Sequence, residues 1–448
     1  MSAIVAIERE EEIEVNSDDN IMFANLQSLR LRNLLKLKGF LSVVDSLVLF
    51  NGKVVFPNLE ELEIKCMDSM KMIWPDQLIL DSFCKLENLT VSNFTNLTNI
   101  LPSNMLRTLQ NLKHLKIDSC GSIEEVFDIQ RTNNVEETHD IAATELRSLK
   151  LINLGKLKHV WSMDPQGIIT FAKLRKIEIG GCSSLKSVFP TSVAKALMQL
   201  EELEINDCAM VEEIVAKEEG IETTTLFEFP QLKTLILRNL PELKSFYQGK
   251  HILECPLLNY LHISKCDKLK IFGSNKESVE ETNGLGHDVD VIQDLFFFGE
   301  KVVFPNLEEL EIKCMDSMKM IWPDQLILDS FCKLENLTVS NFTNLTNILP
   351  PNMLRTLQNL KHLKIDSCGS IEEVFEIQRI NNVEETHDIA ATESLKLINL
   401  GKLKHVWSMD PQGIITFAKL RKIEIRGCSS LKIIFPTSVA KALCNLRS

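Results

Sequence analysis

What this chain lacks narrows its chemistry. Its 448 residues contain no G-x-x-x-x-G-K-[ST], G-x-G-x-x-G, H-E-x-x-H or G-x-S-x-G motif. That removes the usual signatures for cradling phosphates, binding dinucleotides, holding a catalytic zinc or presenting a nucleophilic serine. Twelve cysteines include no C-x-x-C pair, so their spacing gives zinc ligation no support. No run approaches the roughly 18 apolar residues that a membrane span needs. Positive charge is not in surplus: a net charge of −13 argues against nucleic acid as the main partner, since that binding neutralises phosphates with a basic surface. A secretory signal is not expected either, because the apolar run from Ser2 to Ile7 is short and Glu8, Glu10, Glu11 and Glu12 follow at once.

What is present is a rhythm. In Leu112 to Phe127, LKHLKIDSCGSIEEVF, apolar residues fall at Leu112, Leu115, Ile117, Cys120, Ile123 and Val126. That spacing fits neither a 3.6-residue helix nor a strictly alternating strand. It is the leucine-rich-repeat pattern, L-x-x-L-x-L-x-x-N/C-x-L, a short strand followed by an inward turn. Units begin at Leu26, Leu59, Leu86, Leu112, Leu146, Leu174, Leu200, Leu232 and Leu258, and resume at Leu307, Leu334 and Leu360. A damaged unit near Leu395, one at Leu420 and a truncated one at Leu446 complete the series. The expected fold is an α/β repeat solenoid, a leucine-rich-repeat horseshoe with a parallel concave β-sheet and a convex side that is mostly irregular or short-helical. Helices are expected at Ser103 to Gln110 and Thr191 to Met198, which carry good helix formers. The lead-ins at Phe56, Phe83, Phe171, Phe229 and Phe304 read as extended. A single unit buries too few side chains to offset the entropy of ordering it, so neighbours must stack.

Six cysteines (Cys120, Cys182, Cys208, Cys266, Cys368 and Cys428) take the ninth repeat position, which Leu34, Phe94, Leu154 and Leu240 take elsewhere. A position shared by Cys, Leu and Phe is a core position, so these thiols read as small, reduced core residues.

A longer period overlies the short one. Lys53 to Glu145 and Lys301 to Glu393 differ only at Ser103/Pro351, Asp128/Glu376 and Thr132/Ile380. The match continues from Ser148–Leu200 onto Ser394–Leu446 with two residues lost, which removes the counterpart of Leu146 and puts Thr392 or Glu393 at a core position. The chain therefore divides into a first block of repeats, 1–272, an irregular linker or degenerate repeat, 273–300, and a duplicated, truncated second block, 301–448. Neither end supplies a polar capping unit, so the chain reads as excised from something longer.

The histidines form no constellation. His114 and His362 are copies of one strand position, as are His159 and His405, and His139 lies in a polar loop, EETHD. The acidic stretches Asn133 to Glu145 and Lys217 to Thr225 read as exposed loops, and Trp74, Trp161, Trp322 and Trp407 as packing residues. The x positions around each strand face solvent. Across adjacent repeats they spell Lys113, His114 and Lys116, then Arg147 and Lys150, then Arg175 and Lys176. This basic stripe meets Glu201, Glu202, Glu204 and Asp207 on one side, with Glu60, Glu61 and Glu63 on the other. It reads either as a mixed-charge solvated face or as a protein-recognition surface whose charge complementarity sets specificity. The candidate contact residues are Lys113, His114, Lys116, Lys150, Arg175, Lys176, Glu201 and Glu204.

Units such as FPNLEELEIKCMDSMKMIWP, MVEEIVAKEEG and FPQLKTLILRNLPELKSF resemble the leucine-rich region of plant disease resistance proteins of the coiled-coil/nucleotide-binding/leucine-rich-repeat class. The resemblance implies a non-enzymatic, cytoplasmic module that recognises pathogen effectors or effector-modified host proteins, and that contacts a nucleotide-binding domain in a full-length relative. With the catalytic, phosphate-binding and metal-ligand motifs missing from the sequence, no cofactor, metal site or catalytic residue is expected. The phosphate loop of that switch domain is not in this sequence. Two alternatives stand beside this reading: a leucine-rich-repeat substrate receptor of a ubiquitin ligase, and a non-functional resistance-gene fragment.

Overall fold

The protein's structure is a computed structural model that describes residues 3–5, 20–41, 48–75, 82–129, 142–166, 169–218, 223–269, 298, 304–322, 330–377, 391–410, 417 and 419–444. Its contacts divide it into two compact units, Met1–Lys217 and Glu218–Ser448. That boundary does not coincide with the ends of the sequence blocks. Apart from Phe298, the 273–300 linker lies outside the described residues, as do His139 and the centres of the acidic loops.

In the first unit seven short strands pair in parallel, in chain order: Ser28–Arg32, Glu61–Lys65, Asn88–Phe94, His114–Cys120, Ser148–Ile152, Lys176–Gly180 and Glu202–Asn206. In the second unit seven more do the same: Thr234–Arg238, Tyr260–Ser264, Glu309–Lys313, Asn336–Phe342, His362–Cys368, Ser394–Ile398 and Lys422–Arg426. A strand follows each of the thirteen intact repeat starts read from the sequence, and the damaged unit near Leu395 supplies the fourteenth. The alternation is strict in strands such as Ser148–Ile152, where Leu149 and Leu151 are buried and Ser148, Lys150 and Ile152 are half-buried. The solenoid of parallel strands expected from the repeat is the observed fold.

One backbone feature closes every strand. The eighth position of each repeat is left-handed: Asn33, Cys66, Asn93, Ser119, Asn153, Gly181 and Asp207 in the first unit, then Asn239, Lys265, Cys314, Asn341, Ser367, Asn399 and Gly427. Asparagine takes six of the fourteen positions because its short polar side chain tolerates positive φ. At Gly181 a Cβ would lie 2.5 Å from Asn153 Oδ1, so any side chain there has to displace that amide. The turn drives the ninth residue into the core. Cys120, Cys182, Cys208, Cys266 and Cys368 are fully buried free thiols, and burial pushes Cys120 up to about 11 and Cys266 and Cys368 up to about 12. Cys428, expected in the core with them, is only half-buried. It sits in the last described strand turn, whose Ile423 is 41% exposed where the equivalent Ile177 is fully buried.

The two expected helices form slightly shorter, as Ser103–Thr108 and Thr191–Ala196, with copies at Pro351–Thr356 and Thr437–Cys444. The phenylalanine lead-ins differ from expectation. They are tight turns, closed by the leucine N–H donating back to the phenylalanine carbonyl at Leu86–Phe83 (3.0 Å), Leu174–Phe171 (3.1 Å) and Leu232–Phe229 (3.2 Å). The rings thereby turn inward and pack with the tryptophans. Trp74 lies 5.0 Å from Phe83 and Trp161 5.5 Å from Phe171, centroid to centroid, and all four tryptophans are buried.

The two-residue deletion is absorbed without losing a strand. Glu393 N donates to Lys361 O just as Arg147 N donates to Lys113 O, both at 2.8 Å. Thr392 therefore takes the place of Leu146, is buried, and donates its hydroxyl to Leu360 O at 3.0 Å.

Candidate functional site

Parallel pairing converts the solvent-facing x positions into rows, because residues in register stand side by side on adjacent strands. In the first unit, one row places His114, Ser148, Lys176 and Glu202 in register, and the next places Lys116, Lys150, Glu178 and Glu204. Lys113 and Arg175 lie just before their strands, where their carbonyls each accept two N–H groups from the following repeat. The candidate residues are thus gathered on one exposed sheet face over four consecutive repeats.

They do not form a free basic stripe. Lys113 pairs with Glu87 at 2.5 Å, Lys116 with Asp118 at 3.5 Å and Lys150 with Glu178 at 2.7 Å. Arg175 meets Glu201 at 3.4 Å, and Lys176 bonds Glu202, which holds the ammonium above its ordinary pKa. Glu204 accepts from Asn206 Nδ2 at 2.7 Å. His114 is exposed. The reading from sequence missed Glu87, Asp118 and Glu178 as counter-charges. The face mixes both signs of charge, each cation standing beside a carboxylate and each pair contributing little stability at such exposure.

The N-terminal edge of this face is more tightly knit. Glu63 is buried beneath Arg32, Arg30 and Lys65, and the hydrogen bond from Arg32, then that from Lys65, hold its carboxyl below the usual range.

The second unit carries a polar cluster that sequence reasoning did not single out. His262 is nearly buried on its strand between Tyr260 and Ser264, and its Nδ1 bonds Glu311 on the next strand, its partner in register. With Nδ1 donating to that carboxylate, Nε2 is left to accept the Ser264 hydroxyl at 3.1 Å. Tyr260 OH lies 3.5 Å from the same Glu311 oxygen, and Lys313 bonds the other. Burial lowers the His262 pKa, with Glu311 opposing it in part. Burial raises Glu311, and Lys313 with His262 outweighs it, so the carboxyl lies below its ordinary value. Finding this cluster from sequence required aligning repeats across the linker.

Hydroxyl, imidazole and carboxylate here follow the order of a nucleophilic triad. Acyl transfer also needs N–H donors aimed at a developing oxyanion, yet the N–H next to Ser264, that of Lys265, already donates to Lys313 O at 3.1 Å. Among the described residues no group of three or more His, Cys, Asp or Glu side chains is placed to hold a metal, and no helix is long and apolar enough to cross a membrane.

Over residues 58–209, 197–275 and 306–448 the sequence matches the family described as "Plant disease resistance protein RPS2-like, leucine-rich repeats". It is 35% identical to Disease resistance protein UNI of Arabidopsis thaliana over 111 residues, which is 25% of this chain and 12% of that protein. It is 33% identical to Disease resistance protein SUMM2 of the same plant over 97 residues, 22% of this chain and 10% of that protein. A probable disease resistance protein of Arabidopsis thaliana is 27% identical over 195 residues, 39% of this chain and 25% of that protein. The chain thus spans a quarter or less of each of these relatives. Among solved structures, a leucine-rich-repeat protein of Leptospira interrogans matches 94% of this chain with 88% of its own, at 16% identity and a TM-score of 0.32. An internalin of Listeria monocytogenes matches 86% with 79% of its own, at 14% identity and a TM-score of 0.30. With the repeat register present in all fourteen strands and the family match covering most of the chain, the protein belongs to the RPS2-like leucine-rich-repeat family of plant disease resistance proteins.

Proposed function

We propose that this chain senses pathogen effectors, or host proteins that effectors have modified, through the exposed sheet face of its first unit. The observation that carries the proposal is the register itself: Lys116, Lys150 and Glu178 stand in one row and Lys176 and Glu202 in the next, each cation held beside a carboxylate. Such a face presents both signs of charge at fixed spacing, which favours selection among protein partners by complementarity and fast, steered encounter. The reading is of a non-enzymatic module acting in the cytoplasm, with a nucleotide-binding domain as a further contact in a full-length relative. The commitment of the Lys265 N–H to the sheet argues against acyl transfer at Ser264.

Capture tests it. Tagged chain incubated with extracts of infected and uninfected plant tissue is expected to enrich a pathogen-secreted or host protein. Replacing Lys116, Lys150 and Lys176 by Glu is expected to abolish that enrichment while the melting temperature stays near that of the parent. Unchanged capture removes this face from the account.

A further inference from the structure

The two sequence copies diverge at three positions over 93 aligned residues, and two of the three meet at one place. A surface cavity of about 320 Å³ opens in the second unit, lined by eight residues that include Met320, Trp322, Asn347, Pro350, Pro351 and Glu376. Pro351 replaces Ser103 of the first copy and Glu376 replaces Asp128. Both changes alter the lining in a definite chemical direction. Serine to proline removes a hydroxyl and stiffens the rim beside Pro350. Aspartate to glutamate lengthens the acid by one methylene, and Asn347 Nδ2 now donates to Glu376 Oε2. In the first copy the equivalent Asn99 has its Oδ1 buried without a partner, and among the described residues no hydrogen bond joins it to Asp128.

The cavity offers one carboxylate, hydrogen-bonded to the Asn347 amide, with Asn352, Met320 and two prolines around it. Trp322 is buried and its Nε1 is committed to Ile348 O at 2.6 Å, so it closes the floor and leaves the ligand contacts to the residues around it. None of the eight lining residues is basic. A carboxylate beside two prolines and a methionine suits a cationic group carried on an apolar stem, the cation meeting the acid and the stem lying along the prolines. The volume lies at the low end for a ligand pocket, about right for a single long side chain.

The geometry points to a second recognition site, in which this cavity takes an arginine or lysine side chain from a partner protein. It is separate from the exposed sheet face discussed above, and its failure leaves that reading untouched.

Capped tripeptides, acetyl-Gly-Arg-Gly-amide and acetyl-Gly-Lys-Gly-amide, with acetyl-Gly-Glu-Gly-amide as control, test it against the full chain by saturation-transfer difference NMR. The basic peptides are expected to bind and the acidic one not. Glu376→Gln can still accept the Asn347 hydrogen bond, so it removes the charge with little change of shape. It is expected to weaken binding by about tenfold or more. Asp128→Asn in the first copy is expected to leave it unchanged. The double variant Pro351→Ser with Glu376→Asp restores the chemistry of the first copy, a lining this chain already folds around, and is expected to weaken binding as well. Equal binding of the acidic peptide, binding unmoved by Glu376→Gln, or no binding by any peptide would overturn the assignment.

Discussion

Thr392 occupies the core position that Leu146 fills in the first copy, and its hydroxyl is satisfied by Leu360 O at 3.0 Å. The hydrogen bond removes the penalty of an orphaned polar group, but the lost leucine volume is not returned. Amides of the Ser394–Ile398 strand are therefore expected to exchange faster than those of Ser148–Ile152, by an opening free energy lower by about 2 kcal/mol. Leu146→Thr, made in the first copy, is expected to destabilise by about 2–4 kcal/mol in urea titration. Equal protection in the two strands would show that the deletion is fully compensated.

The left-handed corner at the eighth position makes a sharper comparison. Gly181 has φ +67° and a blocked Cβ site, whereas a Cβ at Gly155 would meet only Ser183 Oγ at 3.8 Å. Gly181→Ala is expected to destabilise by about 1–3 kcal/mol and Gly155→Ala by far less, read as shifts in the urea midpoint. Similar shifts would contradict a conformational requirement at the corner.

How much of this was legible beforehand follows from distance along the chain. Strand positions and the inward ninth residue were readable because they depend on a period within about ten residues, visible in LKHLKIDSC. The lead-ins were misread because a tight turn closed by Leu86 N–H onto Phe83 O leaves no polar signature, and FPNL or FCKL can equally be extended. The ion pairs were only half readable. Lys150 and Glu178 are 28 residues apart, and the pairing depends on the register of two strands. Glu201 and Glu202 stand out beside Arg175 and Lys176, whereas Glu87, Asp118 and Glu178 do not. The His262–Glu311 pair spans 49 residues across the linker, beyond any local pattern.

That pair has a pH consequence. The folded pKa of His262 lies below its unfolded value of about 6.5. The neutral imidazole is the form the fold favours. Its contribution to stability is complete above about pH 6.5 and is lost as pH falls through the lower folded value. Urea midpoints measured across this range are expected to decline in the parent and to decline less in His262→Gln. Parallel curves would mean that this histidine is not coupled to folding.

The tryptophans offer a matched test of hydrogen-bond satisfaction. Trp74 Nε1 donates to Ile100 O at 2.7 Å, whereas the buried Trp161 Nε1 has no partner. Replacing either by Phe removes similar volume, but only the first leaves a buried carbonyl unpaired. Trp74→Phe is expected to cost about 1–3 kcal/mol more than Trp161→Phe by thermal or urea unfolding. A reversed order would contradict the assignment.

The most direct test of the recognition face exchanges one ion pair. In Lys150→Glu with Glu178→Lys the pair is retained and its polarity inverted, so unfolding free energy is expected to stay within about 0.5 kcal/mol of the parent. Partner capture, which depends on where each sign stands, is expected to be lost. A variant that is equally stable yet still captures the partner would contradict recognition through this face.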